Sequence, residues 1–172
     1  NFADVLKHAV LVSLLVALQR KSAPLAYVET HAGAGRYDLD GGPARQTHEF
    51  ADGIARVLDA ARLPPDARRY VELVRALNPG GGLHQYPGSP LLASRMLRAH
   101  DRLLLCELQE AECAALRLEF AGDPRVQVQQ RDGYAALKAL LPPKEKRALV
   151  LVDPPFEAQE AEFETIADAL GA

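Results

Sequence analysis

The chain has 172 residues, 48% of them hydrophobic and 25% charged, with a formal net charge of −3. That length suits one domain with a proper core, and the composition is that of an ordinary globular protein. The acidic balance excludes a generally basic nucleic-acid wrapper, so any RNA contact must come from local patches.

From Asn1 to about Gln19 the pattern predicts a helix, with Asn1 able to cap it and Asp4 suited to its first turn. Beyond Ala9 the helix is apolar nearly all round, which predicts that it is buried, and the run from Ala9 to Leu18 is too short to span a bilayer. Asp4, Lys7 and His8 fall on one side. They face a ligand pocket or form a solvated first turn, and spacing does not choose between the two. Leu25 to Glu29 reads as the first strand. Thr30-His31-Ala32-Gly33-Ala34-Gly35 follows, where glycines let a ligand approach the backbone closely. The dinucleotide fingerprint needs glycine at position 38, and Asp38 stands there, which disfavours a nicotinamide enzyme.

Two amphipathic helices come next. Thr47 can cap the first, which carries Phe50, Ile54, Val57, Leu58 and Ala61 on one face until Pro64-Pro65 breaks it. The second carries Tyr70, Val71, Val74 and Leu77 and stops at Asn78-Pro79-Gly80-Gly81-Gly82. Together they predict a helical hairpin over 47–82, inserted into a main fold made of 1–46 and 83–172. Arg62, Arg68, Arg69 and Arg75 make it locally basic, as a solvated helix face or an RNA-contacting lid. Tyr86-Pro87-Gly88-Ser89-Pro90 opens a further helix, with Ser89 as N-cap and Pro90 in the first position. A polar group at a helix mouth can also hold a ligand carboxylate.

Leu103 to Cys106 is the second strand and ends in Glu107, an acid placed to accept hydrogen bonds from both hydroxyls of a ribose. Cys106 and Cys113 make no CxxC, zinc pattern or disulfide framework, so a reducing cytoplasm is expected. Glu110 to Phe120 is helical. Val126 to Gln130 is the third strand, closed by Asp132-Gly133, where the acid or its neighbouring backbone can pair with an adenine amino group. A helix marked by Tyr134, Leu137, Leu140 and Leu141 leads to the fourth strand, Leu149 to Val152, and a last helix ends the chain. Between those two lies Asp153-Pro154-Pro155-Phe156. Two prolines cannot extend a strand; they form a turn that carries the Asp153 side chain over the sheet edge. Four strands thus end in Glu29, Glu107, Asp132 and Asp153, and the strand ends of such a sheet converge on one crevice.

The turn resembles that of adenine-N6 and cytosine-N4 methyltransferases, which use S-adenosylmethionine; the other reading is a rigid turn after the strand with an exposed Asp. The resemblance implies that the carboxylate and the carbonyl of the proline-locked turn accept both N–H bonds of an exocyclic amine while Phe156 stacks on the base. Four ordered stretches carry a closer resemblance: Asn1-Phe2-Ala3-Asp4-Val5-Leu6-Lys7-His8, Thr30-His31-Ala32-Gly33-Ala34-Gly35-Arg36-Tyr37, Tyr86-Pro87-Gly88-Ser89-Pro90 and Asp153-Pro154-Pro155-Phe156. Together they resemble the RlmJ family of bacterial 23S ribosomal RNA adenine-N6 methyltransferases, over essentially all 172 residues.

The resemblance implies a Rossmann-like class I methyltransferase fold of the α/β class, its mostly parallel sheet having helices on both faces and carrying a small inserted helical hairpin. It implies S-adenosyl-L-methionine as methyl donor, without a metal, contacted by His8, His31, Gly33, Ser89, Glu107, Asp132 and Gly133, with Lys7 close by. Asp153 is implied as the catalytic carboxylate at the cofactor's edge, with Pro154 and Phe156 beside it. The implied partner is 23S ribosomal RNA; a cytoplasmic monomer with no membrane and no obligatory protein partner is expected. Both ends are expected to be cut, with a short RNA-touching stretch before Asn1 and sheet-completing strands after Ala172. Phe156 stands where tyrosine is common, which keeps stacking and loses a hydroxyl. Two other readings stay open: a DNA adenine-N6 methyltransferase, which shares the turn, and a non-catalytic nucleotide-binding module.

Overall fold

The computed structural model describes residues 2–41, 51–58, 62–155 and 159–171. In chain order the elements are helix α1 (Phe2–Leu18), strands β1 (Ala26–Glu29) and β2 (Arg36–Asp38), and a π-helical turn (Ala51–Ala55) that runs into a short helix α2 (Arg56–Leu58). Helix α3 (Pro65–Leu77), strand β3 (Gln85–Pro87), helix α4 (Ser89–Met96), strand β4 (Arg102–Glu107) and helix α5 (Glu110–Glu119) follow. Strand β5 (Val126–Gln130), helix α6 (Gly133–Leu140), strand β6 (Ala148–Leu151) and helix α7 (Gln159–Gly171) complete the order. The chain divides into two compact units, Asn1–Arg20 with Arg36–Met96, and Lys21–Gly35 with Leu97–Ala172.

The second unit is built on a parallel sheet in the order β5-β4-β1-β6. Ala26 of β1 stands against Arg102 of β4 on one side and Ala148 of β6 on the other. All four residues of β1 are buried, as are all of β4 after Arg102. A strand covered on both faces needs such a continuous apolar run rather than an alternating one. In register, Val28, Leu104 and Val150 share one face, where Leu137, Leu140, Leu141 and Ala169 pack over them. Each fully buried aliphatic side chain there stabilises by about 1.5–3 kcal/mol. The amino ends of β1 and β4 are tied by Asp101, which is 1% exposed and accepts from the Leu25 and Arg98 backbone N–H groups and the Arg98 guanidinium. Burial works to raise the Asp101 pKa, but the hydrogen bonds from Arg98 and Leu25 and the Arg98 charge hold it below the usual carboxylate range. This α/β architecture is the class that the strand pattern predicts.

The first unit packs α1, α3 and α4 around Val5, Val12, Ile54, Tyr70, Val71, Val74 and Leu92. Asn78 ends α3 and shapes the turn beyond it, donating to the Val74 and Gln85 carbonyls while accepting from the backbone of His84 and Gln85. Strands β2 and β3 form an antiparallel pair, Tyr37 against Tyr86. The residues expected to form a helical insert, 47–82, fall within this unit, though Thr47, Phe50 and Ala61 lie outside the described residues. One expectation needs correcting. Helix α1 is not buried all round: Val5, His8, Leu11, Val12 and Leu15 are buried, but Val10 and Leu14 are 49% and 45% exposed. A helix that is apolar on every side still presents one stripe to a core, and Val5, His8, Val12 and Leu15, spaced by three and four, form it. Among the described residues no helix is long and apolar enough to cross a membrane.

Candidate functional site

Within the parallel sheet, chain order reverses between β1 and β6, since β4 and β5 lie to one side of β1 and β6 lies to the other. Loops leaving the carboxyl ends of strands at such a point open a crevice for a ligand. The loop after β1 is pinned by its own backbone. Thr30 N–H donates to the Leu151 carbonyl at 3.1 Å, Ala32 N–H to the Cys106 carbonyl at 3.0 Å and Gly33 N–H to Glu107 Oε2 at 2.8 Å. Gly33 has φ +60°, a left-handed conformation that glycine adopts without steric penalty.

Glu107, the last residue of β4, is 7% exposed. Its Oε2 takes the Gly33 N–H and its Oε1 accepts from Gln109 N–H at 2.8 Å. Each carboxylate oxygen has two lone-pair directions, so one on each can still receive a further donor. Asp132 caps α6, its Oδ1 accepting from the N–H groups of Tyr134 and Ala135 at 2.8 and 3.1 Å. That leaves Oδ2 as its second acceptor. Gly133, the next residue, lies so close to the loop after β1 that a Cβ there would sit 2.3 Å from the Thr30 carbonyl oxygen. His31 Nδ1 is 2.8 Å from Thr30 Oγ1, and the His31 ring meets Tyr134 edge-on at 5.2 Å between centroids.

Asp153 is half-buried and Pro154 buried, just beyond the end of β6; Phe156 lies outside the described residues. All these groups stand at the carboxyl end of one sheet. Glu29 is different: it is fully buried, and its Oε2 accepts from the Tyr27 hydroxyl at 2.8 Å, two residues earlier on the same face of β1. Of the four strand-end acids, Glu29 is thus turned into the sheet's own hydrogen bonding.

The other candidates belong to the first unit. His8 is 2% exposed, with Nδ1 2.9 Å from the Tyr86 hydroxyl, which is 2.8 Å from the Tyr70 hydroxyl. Burial first, and then the neighbouring Lys7 charge, lower the His8 pKa to about 3, so its ring is neutral at ordinary pH. Burial likewise pushes both tyrosines well above their ordinary range. Lys7 pairs with Asp4 at 3.0 Å, and Ser89 is buried at the first residue of α4. The side of α1 carrying these residues is thus split: an ion pair at Asp4 and Lys7, and a core position at His8. On the hairpin, Arg62 and Arg68 are exposed, Arg69 pairs with Glu72 at 3.2 Å, and the Arg75 guanidinium donates to the Leu58 carbonyl. Sequence reasoning did not single out Thr30 and Tyr134 beside His31 in the second unit, or the pairing of Tyr70 and Tyr86 with His8 in the first.

A parallel sheet in this order, a glycine loop after β1 and acids at the ends of β4, β5 and β6 define a Rossmann-like α/β domain of the methyltransferase type. A family model described as "Ribosomal RNA large subunit methyltransferase D, RlmJ" matches residues 22–172, and the chain belongs to that family. It is 45% identical over 157 residues to a protein of Escherichia coli (strain K12) named "Ribosomal RNA large subunit methyltransferase J", covering 91% of this chain and 56% of that one. A Haemophilus influenzae protein of the same name is 45% identical over 161 residues, covering 93% of this chain and 57% of the relative. The crystal structure of a Legionella pneumophila protein matches 99% of this chain and 62% of its own with a TM-score of 0.90 at 42% identity. The chain therefore spans little more than half the length of the curated relatives it matches.

Proposed function

We propose that the chain is the methyl-transferring part of an S-adenosylmethionine-dependent enzyme that methylates N6 of an adenine in 23S ribosomal RNA. The observation that carries this reading is Asp153-Pro154 at the carboxyl end of β6, beside β1, at the switch point of the sheet. The residues fit the cofactor chemically. Glu107 offers free lone pairs to two ribose hydroxyls, and Asp132 Oδ2 suits an adenine amino group while the neighbouring Gly133 N–H suits a ring nitrogen acceptor. His31 and Gly33 border the same loop; Lys7, His8 and Ser89 join the cofactor contacts on the family resemblance.

S-adenosylmethionine supplies, when bound, a methyl group activated on a positively charged sulfur. The chain's work is then mainly positional. Asp153 and the Pro154 carbonyl accept the two N–H bonds of the target amine and orient its nitrogen, and Phe156 stacks on a base presented unpaired or flipped out. As the methyl carbon would pass from sulfur to nitrogen, the bond to sulfur breaking as the bond to nitrogen forms, the positive charge would move onto the nitrogen, so the Asp153 carboxylate would interact more strongly with the transition state than with the bound base. The nitrogen then gives up one proton, to Asp153 or to water.

The test is single-turnover methylation of 23S ribosomal RNA at saturating cofactor, in the full-length protein. Asp153→Ala is expected to slow transfer by about a hundred- to a thousandfold, with cofactor affinity held within a few-fold. Retention of more than about a tenth of the wild-type rate refutes the assignment. Equal or faster methylation of duplex DNA favours a DNA enzyme, and cofactor binding without turnover on either substrate favours a non-catalytic module.

A further inference from the structure

We propose that Tyr70 and Tyr86 are positioning residues that hold His8 in one tautomer, with its proton on Nε2, so that it presents a neutral N–H donor to the cofactor. The inference rests on the reading of His8 as a cofactor contact, and it follows from counting protons along three side chains of one unit. Tyr70 is fully buried, and its hydroxyl partner among the described residues is the Tyr86 hydroxyl at 2.8 Å. A buried hydroxyl has one proton to place, so Tyr70 donates to Tyr86. Tyr86 then has its own proton to give and lies 2.9 Å from His8 Nδ1. Nδ1 is therefore the acceptor, and the proton of the neutral ring sits on Nε2. In the reverse direction His8 donates to Tyr86 and Tyr86 to Tyr70, and the Tyr70 proton is left with no acceptor among the described residues. The depressed His8 pKa agrees, because a ring that stays neutral keeps Nδ1 able to accept.

The direction of the chain has a chemical consequence. An Nε2–H donor suits an acceptor, and the strongest acceptor that S-adenosylmethionine carries is the carboxylate of its amino-acid tail. The opposite tautomer would present a lone pair, which repels a carboxylate. Tyr70 lies on α3 and Tyr86 on β3, so two elements distant in sequence fix the protonation of a third. Chains of hydrogen bonds also polarise one another, which strengthens the final link.

Long-range proton–nitrogen NMR of the full-length protein labelled with 15N-histidine reads the tautomer directly, with His8→Gln assigning the signal. The wild type is expected to show a single Nε2–H tautomer at neutral pH. Tyr86→Phe is expected to release His8 into a mixture and to weaken S-adenosylmethionine binding about tenfold by calorimetry, without a comparable loss of thermal stability. Tyr70→Phe should move both readouts in the same direction by a few-fold, and it decides the matter if Tyr86→Phe does not fold. A wild-type Nδ1–H tautomer overturns the inference, as do unchanged tautomer and affinity in both phenylalanine variants. The cofactor reading fails differently: S-adenosylmethionine affinity unchanged in His8→Gln removes the ligand contact, and the positioning role with it, while the wild-type tautomer stays measurable.

Discussion

Replacing Gly133 by alanine puts a carbon 2.3 Å from the Thr30 carbonyl oxygen and 2.5 Å from the Thr30 Cα. Ordinary van der Waals contact begins near 3.4 Å, so about 1 Å of movement is needed in a close-packed interior. Neither side gives easily. Thr30 is held by its N–H bond to Leu151, and the start of α6 is held by the Asp132 cap. Overpacking of this kind costs about 1–3 kcal/mol and sometimes more, so about 3 kcal/mol is expected for a clash with backbone on both sides. In a domain of this size that lowers Tm by about 6–12 °C. Differential scanning fluorimetry of Gly133→Ala against Gly171→Ala checks it, since a Cβ at Gly171 meets nothing within 4 Å. The variant should also bind S-adenosylmethionine less tightly, because Asp132, Gly133 and His31 move relative to one another. A Tm within about 2 °C of the control, less than 1 kcal/mol here, refutes the close approach of α6 to the loop after β1.

Other outcomes follow from the same geometry. Glu107→Ala should weaken S-adenosylmethionine binding about ten- to a hundredfold, and it should also lower stability by about 1–3 kcal/mol, because Gly33 N–H loses its acceptor; unchanged calorimetric affinity rejects the ribose assignment. Replacing Arg68, Arg69 and Arg75 together should reduce RNA affinity and its salt slope by about 0.7–0.9 per lost phosphate contact, whereas an identical slope shows a solvated helix face. His8, whose folded pKa is lowered to about 3 from an unfolded value of 6.5, gives stability that is complete above pH 6.5 and is lost as pH falls toward 3. Between pH 6.5 and 5 that amounts to about 2 kcal/mol. Denaturant midpoints should therefore fall faster with acid in the wild type than in His8→Gln, and parallel curves would contradict neutral burial.

Strands β1, β4, β5 and β6 were legible because each is a short apolar or alternating run stopped by an acid, a glycine or a proline. Those signals are local, and parallel sheets leave them in plain view. Glu107, Asp132 and Asp153 were legible for the same reason, as residues that end such runs. What sequence could not carry is pairing across distance. Strands β2 and β3 are three residues each, too short for any period, and are defined by their pairing with each other, from Arg36 against Pro87 to Asp38 against Gln85. Tyr70 read as part of an apolar helix face and Tyr86 as the residue before a helix opening, since nothing local says that their hydroxyls meet at His8. The need for glycine at 133 depends on Thr30, a hundred residues earlier in the chain. Glu29 is the exception, because two-residue spacing on a strand puts it on the Tyr27 face, and that signal was available.

The central place of β1 also sets the timing of the protein's birth. Its flanking contacts come from much later in the chain: Leu25 waits for Asp101, 76 residues on, and Thr30 for Leu151, 121 residues on. A ribosome adding about 5–20 residues per second reaches β4 several seconds after β1, and β6 on the order of ten seconds after it. Until β4 is made, Tyr27 and Val28, both fully buried in the finished sheet, have no strand on either side, and one side stays open until β6 follows. The nascent chain thus holds its most buried strand open the longest, where a second unfinished chain or a chaperone is the available partner. Substitutions that make β1 stickier should harm yield during synthesis even where they leave the completed fold untouched.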